Sequence, residues 1–240
     1  MNKKIKELLR YITPPILVPG HFRELFNKIF NRDKIVHKYE FEKNFFTRHA
    51  FINKAISKYK DCQYLEIGVF KNDVFNSIPL TNDKKFGVDP IKGGNYRMTS
   101  DEFFKKHNHL KFDVIFIDGL HEYNQCQRDC INAMKSLKDE GIIIFHDFLP
   151  RSHFEENILK KQSAWTGDVW KVAVELSISK NIEFKIVNID HGIGILKLKK
   201  NFQYQTIDNL KNEGFSEFLE YKKKLPIISS EEGLEFISKQ

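Results

Sequence analysis

Residues 112–123 read FDVIFIDGLHEY, and this stretch decides the fold. Its first six residues show no regular alternation of apolar and polar side chains, which is typical of a strand buried on both faces. Three other short apolar runs have the same character: Tyr64–Val69, Lys85–Asp89 and Gly141–His146. Strands of this kind occur in parallel sheets that helices cover on both sides. The sequence therefore predicts a doubly wound α/β fold.

Helices and a hairpin complete the predicted sheet. Residues Asn124–Lys138 carry apolar side chains at helical spacing, and a later helix is predicted at Asp168–Ile178. The runs Glu183–Asn188 and Gly194–Leu198 are joined by a Gly-containing turn at residues 190–192, which indicates an antiparallel hairpin. We expect a mostly parallel sheet of seven strands with an antiparallel last strand.

The net charge of +7 is unevenly distributed along the chain. Residues 1–60 carry 14 Lys and Arg against 5 Asp and Glu, a net charge of +9. Residues 61–199 carry 19 against 20 and residues 200–240 carry 6 against 7, so each of these segments is at −1. We predict a basic helical N-terminal extension (1–60), a catalytic core (61–199) and a helical C-terminal extension (200–240). The basic extension suggests solvated helix faces beside the site, with peripheral contact to an anionic membrane as the alternative.

Composition disfavours several classes of protein. Of 240 residues, 41% are hydrophobic and 30% are charged, so the chain can bury a core. The three cysteines, Cys62, Cys126 and Cys130, lack paired spacing, which argues against a disulfide scaffold or a structural zinc site and suits a reducing cytoplasm. No apolar run approaches about 18 residues, so we expect neither a membrane span nor a signal peptide.

Polar residues cluster where the predicted strands end. Asp118 and His121 follow the strand at 112–117, and His146 and Asp147 close the next strand. Ligands of open α/β sheets bind beyond the carboxyl ends of the strands. Two adjacent strand ends therefore present two carboxylates and two imidazoles to one crevice, a set that suits general-base catalysis or a divalent metal.

Two residues at earlier strand ends indicate a nucleoside ligand. Gly68 would let a ligand approach the backbone closely. Asp89 lies 21 residues further on, close to the ~20 expected for a carboxylate that holds both ribose hydroxyls. The GxGxxG motif of dinucleotide sites is absent, so adenosine is the expected moiety. Thr99 or Ser100 is expected to cap the next helix and to face the same crevice.

Five motifs, in order and at matching spacing, resemble class I S-adenosylmethionine-dependent methyltransferases. They are LEIG (65–68), VDP (88–90), RMTSDEFF (97–104), FDVIFIDGLH (112–121) and HD (146–147). More narrowly, the chain is similar to a bacterial subgroup associated with surface-polysaccharide and natural-product O-methylation, and residues 165–171 (WTGDVWK) also resemble a stretch of that subgroup. The resemblance spans roughly residues 60–198 and implies a seven-stranded Rossmann-like sheet with S-adenosylmethionine as the cofactor.

The resemblance also implies roles for individual residues. Cofactor binding falls to Glu66, Gly68, Asp89, Thr99, Ser100 and Asp118. His121 takes the place of a Lys base in metal-assisted relatives, while Asp118 and Asp147 take the places of acidic metal ligands. Phe148 departs from the pattern, because those relatives carry an amide ligand there. The need for a divalent metal such as Mg²⁺ is thus left open, with Asp118, His146 and Asp147 as its ligands. Trp165, Asp168 and Lys171 are expected near the acceptor.

The expected reaction is O-methyl transfer to a hydroxyl of a sugar or a sugar-containing precursor. His121 is the predicted base, since an imidazole titrates near neutrality, and Asp118 or Asp147 would orient it. Two alternatives stay open: an RNA or DNA methyltransferase that uses the basic N-terminus, and a non-catalytic cofactor-binding partner in a biosynthetic complex. We expect a cytoplasmic protein, at most peripheral to the membrane, whose partner is a small molecule or glycan precursor rather than nucleic acid. A homo-oligomer is among the options.

Overall fold

The computed structural model describes residues 46–160 and 162–239, and one seven-stranded sheet lies at the centre of these residues. The strands are β1 Tyr64–Ile67, β2 Lys85–Val88, β3 Phe112–Ile117, β4 Leu137–Phe145, β5 Lys180–Val187, β6 Ile193–Gln203 and β7 Ile227–Ile228. The helices are α1 Arg48–Ile56, α2 Asp73–Ser77, α3 Ser100–Lys106, α4 Tyr123–Ser136, α5 His153–Glu156, α6 Trp170–Ile178, α7 Phe215–Lys222 and α8 Ser230–Ser238, with a short 3₁₀ helix at Leu210–Asn212. The helices that the sequence predicts before residue 45 lie outside the described residues.

The strand order, β2-β1-β3-β4-β6-β5-β7, confirms the predicted doubly wound sheet. Strands β1 to β4 pair in parallel, whereas β6 is antiparallel to both β4 and β5, which confirms the hairpin. The antiparallel strand is the sixth in chain order. The seventh, β7, pairs in parallel with β5 and comes from the segment 200–240, so the prediction of a wholly helical C-terminal extension is incomplete. Two residues are too few to show a strand period in a sequence.

Burial on both faces of the sheet explains the missing alternation in β3. All six of its residues are buried. Val114 and Phe116 pack in the layer that contains α1, α2 and α8, whereas Ile115 and Ile117 pack in the layer that contains α3, α4 and α6. Each face is therefore covered by helices, as expected for parallel strands with continuous apolar sequences.

The parallel register aligns the carboxyl ends of the strands. Ile67 pairs with Val88 on one side and with Ile117 on the other. Ile117 in turn pairs with Phe145. Because β5 runs in the same direction as β4, the turn after β5 lies at this edge too. The residues that follow the four parallel strands β1 to β4 and the residues of the β5–β6 turn therefore lie at the same edge of the sheet.

The two ends of the described chain pack against each other. Helix α8 contacts α1 and β5. Gly233 of α8 lies between Phe51 of α1 and Val187 of β5, where a Cβ on the glycine would come within 2.9 Å of the Phe51 ring and 2.6 Å of a Val187 methyl. The position of α1 therefore depends on the C-terminal helix.

Two features of the described residues bear on the expectations from composition. Cys62, Cys126 and Cys130 are all buried free thiols, and burial raises the pKa of Cys62 to about 12. Among the described residues, no helix combines the length and the apolar character needed to cross a bilayer.

Candidate active site

Four of the predicted site residues meet at the carboxyl edge of the sheet. Oδ1 of Asp118 lies 3.4 Å from Nε2 of His121 and 3.3 Å from Nδ1 of His146. Oδ2 of Asp147 lies 3.3 Å from Nδ1 of His121 and 3.1 Å from Nδ1 of His146. The two imidazoles therefore share the same two carboxylates, and we call Asp118, His121, His146 and Asp147 the strand-end cluster.

Charge pairing sets the protonation of this cluster. Burial alone would lower the pKa of His121 and of His146, but Asp118 and Asp147 outweigh it and raise the pKa of both imidazoles. Burial would conversely raise the pKa of Asp118, yet the two imidazoles hold it well below its usual range. Asp118 is accordingly a carboxylate at neutral pH, and a proton bound to His121 is stabilised by the two carboxylates.

Trp165 fixes the orientation of His121. The indole stacks on the imidazole with ring centroids 4.5 Å apart and planes 23° from parallel. The Trp165 carbonyl lies 3.0 Å from Nδ1 of His121, so an Nδ1–H donates there and Nε2 is left facing Asp118. Trp165 itself is held by its indole N–H, which donates to the Asn157 carbonyl over 2.6 Å.

Gly167 allows the Trp165 segment to lie this close to His121. Its φ is +62°, and a Cβ there would come within 1.8 Å of the His121 carbonyl oxygen. The backbone N–H of Gly167 donates to the Glu155 carbonyl over 3.0 Å. The segment 165–171 thus contacts His121 through its backbone at Gly167 as well as through the Trp165 indole.

Asp168 and Lys171, the other two residues predicted near the acceptor, are buried in the protein interior. Lys171 is 2% exposed and Asp168 5%. Nζ of Lys171 lies 2.7 Å from Oδ2 of Asp168, whose Oδ1 accepts from the backbone N–H of Tyr123 over 2.6 Å. Nζ also donates to the Lys211 carbonyl. These contacts favour a structural role for both residues and leave Trp165 beside the cluster.

Two further charged residues contact the strand-end cluster without having been predicted. Arg48, the first residue of α1, lies 2.8 Å from Oδ2 of Asp118 and 2.8 Å from Oδ2 of Asp190. Asp190 lies in the β5–β6 turn with a φ of +44°, and its Oδ1 is 3.4 Å from Nε2 of His146. Asp190 could have been found as another carboxylate after a strand, whereas Arg48 precedes all the motifs and carries no such signal.

On the predicted cofactor side of the site, Gly68 lies directly against the backbone that follows β3. Its φ is +88°, and a Cβ would come within 2.1 Å of the Asp118 carbonyl oxygen. Glu66, two residues earlier, is 1% exposed. Burial raises the pKa of Glu66 to about 8, although the 2.7 Å hydrogen bond from the Tyr64 hydroxyl opposes the shift. The loop after β1 and the loop after β3 are therefore one packed unit.

Asp89 orders the loop that follows β2. Its Oδ1 accepts from the backbone N–H groups of Ile91 and Lys92, and its Oδ2 accepts from that of Phe70, all at 2.8–2.9 Å. A carboxylate oxygen can accept two hydrogen bonds, so Oδ2 keeps one position for a ribose hydroxyl. The sequence predicts that both carboxylate oxygens bind ribose hydroxyls. In the structure, the loop amides occupy Oδ1 twice and Oδ2 once, so only Oδ2 has an acceptor position left.

Thr99 and Ser100 divide the tasks that the sequence assigned to the pair. Thr99 caps α3: its Oγ1 accepts from the Glu102 backbone N–H, and the Glu102 carboxylate accepts from the Thr99 backbone N–H. Ser100 is buried, and its Oγ accepts from Nε2 of Gln125 over 3.1 Å. Capping therefore belongs to Thr99 alone.

A buried carboxylate oxygen next to Ser100 fits the adenosine of the expected cofactor. Asp129 on α4 is 0% exposed, and its Oδ1 accepts from Gln125 over 3.0 Å. Its Oδ2 has no hydrogen-bond partner among residues 46–160 and 162–239. Asp129 and Gly119 line one pocket at the strand end, and burial raises the pKa of Asp129 to about 6 against hydrogen bonds from Ser100 and Gln125. An exocyclic amino group of adenine is the kind of donor that this oxygen lacks. No sequence motif points to Asp129.

The expected divalent metal does not fit the cluster as it stands. Asp118, His121 and Asp147 each offer one ligand atom, and these atoms lie within 4.8 Å of one another, so His121 rather than the predicted His146 completes the set. The Arg48 guanidinium, however, already lies against Asp118 and would repel a second cation. The side chain at 148, where an amide ligand would be needed, is an apolar ring stacked on Phe145 in the core.

Comparisons with known proteins agree with this architecture. Residues 88–148 match the family described as "Methyltransferase domain". An O-methyltransferase from Bacillus cereus, solved in complex with SAH, superposes with a TM-score of 0.50 at 11% identity and covers 82% of this chain and 97% of that chain. The cofactor-bound protein Rv0187 from MTB gives a TM-score of 0.48 at 9% identity, over 82% of this chain and 98% of that chain. No curated protein matches by sequence. The sheet order, the β5–β6 hairpin and the superposition together show that this chain has the Rossmann-like fold of the methyltransferases.

Proposed function

We propose that this chain is an S-adenosylmethionine-dependent methyltransferase that acts on a hydroxyl group. The observation that carries the proposal is that the Asp118 backbone lies directly against Gly68, while Asp118, His121 and the buried carboxylate of Asp129 line one pocket. The family match over residues 88–148 supports a methyltransferase. The Bacillus cereus O-methyltransferase with the same fold was solved with SAH, which supports the choice of cofactor.

The residues of the strand-end cluster can remove the acceptor's proton. S-adenosylmethionine, when bound, supplies a methyl group on an electrophilic sulfonium. Because Nδ1 of His121 faces the Trp165 carbonyl, Nε2 is the nitrogen that takes the proton from the acceptor hydroxyl. Asp118, 3.4 Å from Nε2, stabilises the imidazolium that results. The stack on Trp165 holds the imidazole of His121 in place. Because the acceptor hydroxyl donates its hydrogen bond to this fixed imidazole, its oxygen is oriented as well as deprotonated.

We further propose a sugar or a sugar-containing precursor as the acceptor. The half-buried indole of Trp165 adds apolar surface beside the base, while the nearby carboxylates can accept hydrogen bonds from several hydroxyls. Nζ of Lys160 lies 5.6 Å from the centre of the indole ring and adds positive charge there. A precursor that carries a phosphate would be attracted to this charge.

The test is methyl transfer from radiolabelled S-adenosylmethionine to a panel of free sugars, nucleotide sugars, catechols and RNA or DNA oligonucleotides. His121→Ala should reduce kcat by about 10²–10⁴-fold, because a positioned base contributes that much. Its affinity for S-adenosylhomocysteine, measured by calorimetry, should equal that of the wild type. The matched control is His109→Ala, since His109 is exposed on the loop before β3.

Each outcome of this panel separates the candidate functions. A wild-type rate in His121→Ala would remove the base assignment. Transfer to oligonucleotides alone would favour the RNA or DNA methyltransferase. Binding of S-adenosylhomocysteine with no transfer to any acceptor would favour a cofactor-binding partner. Cytoplasmic location, peripheral membrane contact and a homo-oligomer stay predictions.

A further inference from the structure

Arg48 makes a dense set of contacts with the acidic side chains of the site. Its Nη1 lies 2.8 Å from Oδ2 of Asp118. Its Nε and Nη2 donate to the two oxygens of Asp190 over 2.8 and 2.9 Å, and its backbone N–H donates to Oδ2 over 3.2 Å. Nη1 also lies 3.2 Å from Nδ1 of His146. All three guanidinium nitrogens are thus engaged at the strand-end cluster.

The carboxylates around Arg48 favour a cation at this edge of the sheet. Asp118, Asp147 and Asp190 bring three carboxylates to one edge of the sheet, within reach of the same imidazole. A guanidinium keeps its charge at every pH at which the protein is folded, and its planar fork matches a carboxylate. Arg48 bridges two of the three carboxylates.

We propose that Arg48 is the resident cation of the strand-end cluster and takes the place that a divalent metal would otherwise fill. Arg48 is a positioning residue. It binds Oδ2 of Asp118 and so leaves Oδ1 facing His121 and His146. Resting on the proposed function, the inference adds that methyl transfer by this chain is independent of divalent metal.

The test is a calorimetric titration of the whole chain with MgCl₂ and with MnCl₂. The wild type should show no one-to-one site, whereas Arg48→Met should bind the ion at least about tenfold more tightly, because the repulsion by the guanidinium is gone. Adding Asp118→Asn to Arg48→Met should abolish that gain and thereby locate the ion. Arg128→Met is the control, since Arg128 pairs with Asp101 at an exposed position.

The opposite results would overturn the inference. They are a wild-type ion affinity equal to that of Arg48→Met, or an affinity gain that survives Asp118→Asn. If Arg48→Met does not fold, Arg48→Lys takes its place: it retains the charge, so it should bind the ion as weakly as the wild type, and a gain in affinity would count against the proposal.

Measurements of turnover test the role of Arg48 independently of the titrations. Turnover of the wild type should be unchanged by EDTA, and Arg48→Met should regain rate when MgCl₂ is added. Turnover that EDTA abolishes and Mg²⁺ restores would overturn the role of Arg48 while leaving the methyltransferase assignment intact. The titrations need no acceptor, so a failure to find any transfer would count against the proposed function alone.

Discussion

Replacing Gly167 with alanine tests how His121 is positioned. The new Cβ would lie 1.8 Å from the His121 carbonyl oxygen, whereas real Cβ atoms keep at least 3.0 Å, so the two segments must separate by 1.2 Å or more. A catalytic group displaced by about 1 Å can cost about 10²-fold in rate. We therefore expect kcat to fall by about 10²-fold, with unchanged affinity for S-adenosylhomocysteine. The left-handed backbone at φ +62° should also lower the free energy of unfolding by about 1–2 kcal/mol.

The assay combines steady-state kinetics, calorimetry with S-adenosylhomocysteine and urea unfolding. Asn201→Ala is the matched control, because Asn201 has a φ of +59° in β6 and lies outside the candidate site. It should lose less stability than Gly167→Ala, because asparagine already carries a Cβ in this conformation, and it should lose no activity. A Gly167→Ala protein with the kcat of the wild type would refute the idea that this close approach positions the base.

Three further perturbations have clear expected results. The pKa of His121 is raised above 6.5 and only the neutral imidazole accepts a proton, so log kcat/KM should climb as pH rises through that pKa; a profile independent of pH would contradict the assignment. Because the pKa of Glu66 is raised to about 8 from 4.5, the unfolded chain releases this proton at lower pH than the folded chain does. Between those pH values the wild type should therefore lose up to about 5 kcal/mol more stability than Glu66→Gln in urea titrations. Equal losses would show that the carboxyl is not held neutral. Lys171→Met leaves the buried Asp168 carboxylate without its cation and should lower the free energy of unfolding by about 3–5 kcal/mol; a raised KM at unchanged stability would instead indicate acceptor binding.

The fold was predictable because strands that are buried on both faces appear in the sequence as short apolar runs. The bounds of β3, Phe112–Ile117, agree with the prediction to the residue, since every side chain in that run is buried. The start of β4 was less visible: the strand begins at Leu137, four residues before the predicted start, and residues 137–140 are exposed or half-buried. A strand that begins outside the core has no apolar run to mark it.

Only those site residues that lie at the end of a predicted strand could be predicted from the sequence. Asp118 and His146 could be placed because parallel strands end at one edge. Arg48 and Asp190 meet across 142 residues of sequence, and that contact arises only from the way in which α1 packs beside the sheet. Asp129 lies on α4 and accepts a hydrogen bond from Gln125, and its Oδ2, which has no hydrogen-bond partner among the described residues, belongs to a pocket that Gly119 and Leu120 also line. Such contacts are tertiary, and no local spacing encodes them.

The packing of α8 on α1 connects the end of the chain with its chemistry. Phe51 and Arg48 lie on the same helix, one against Gly233 and the other against Asp118. Truncating the chain after Pro226 would expose Phe51 and Val187 to water and release α1 from its support. A catalytic defect caused by a C-terminal deletion or a bulky C-terminal fusion would then originate some distance from the reacting groups, and it should be accompanied by loss of the Arg48–Asp118 ion pair.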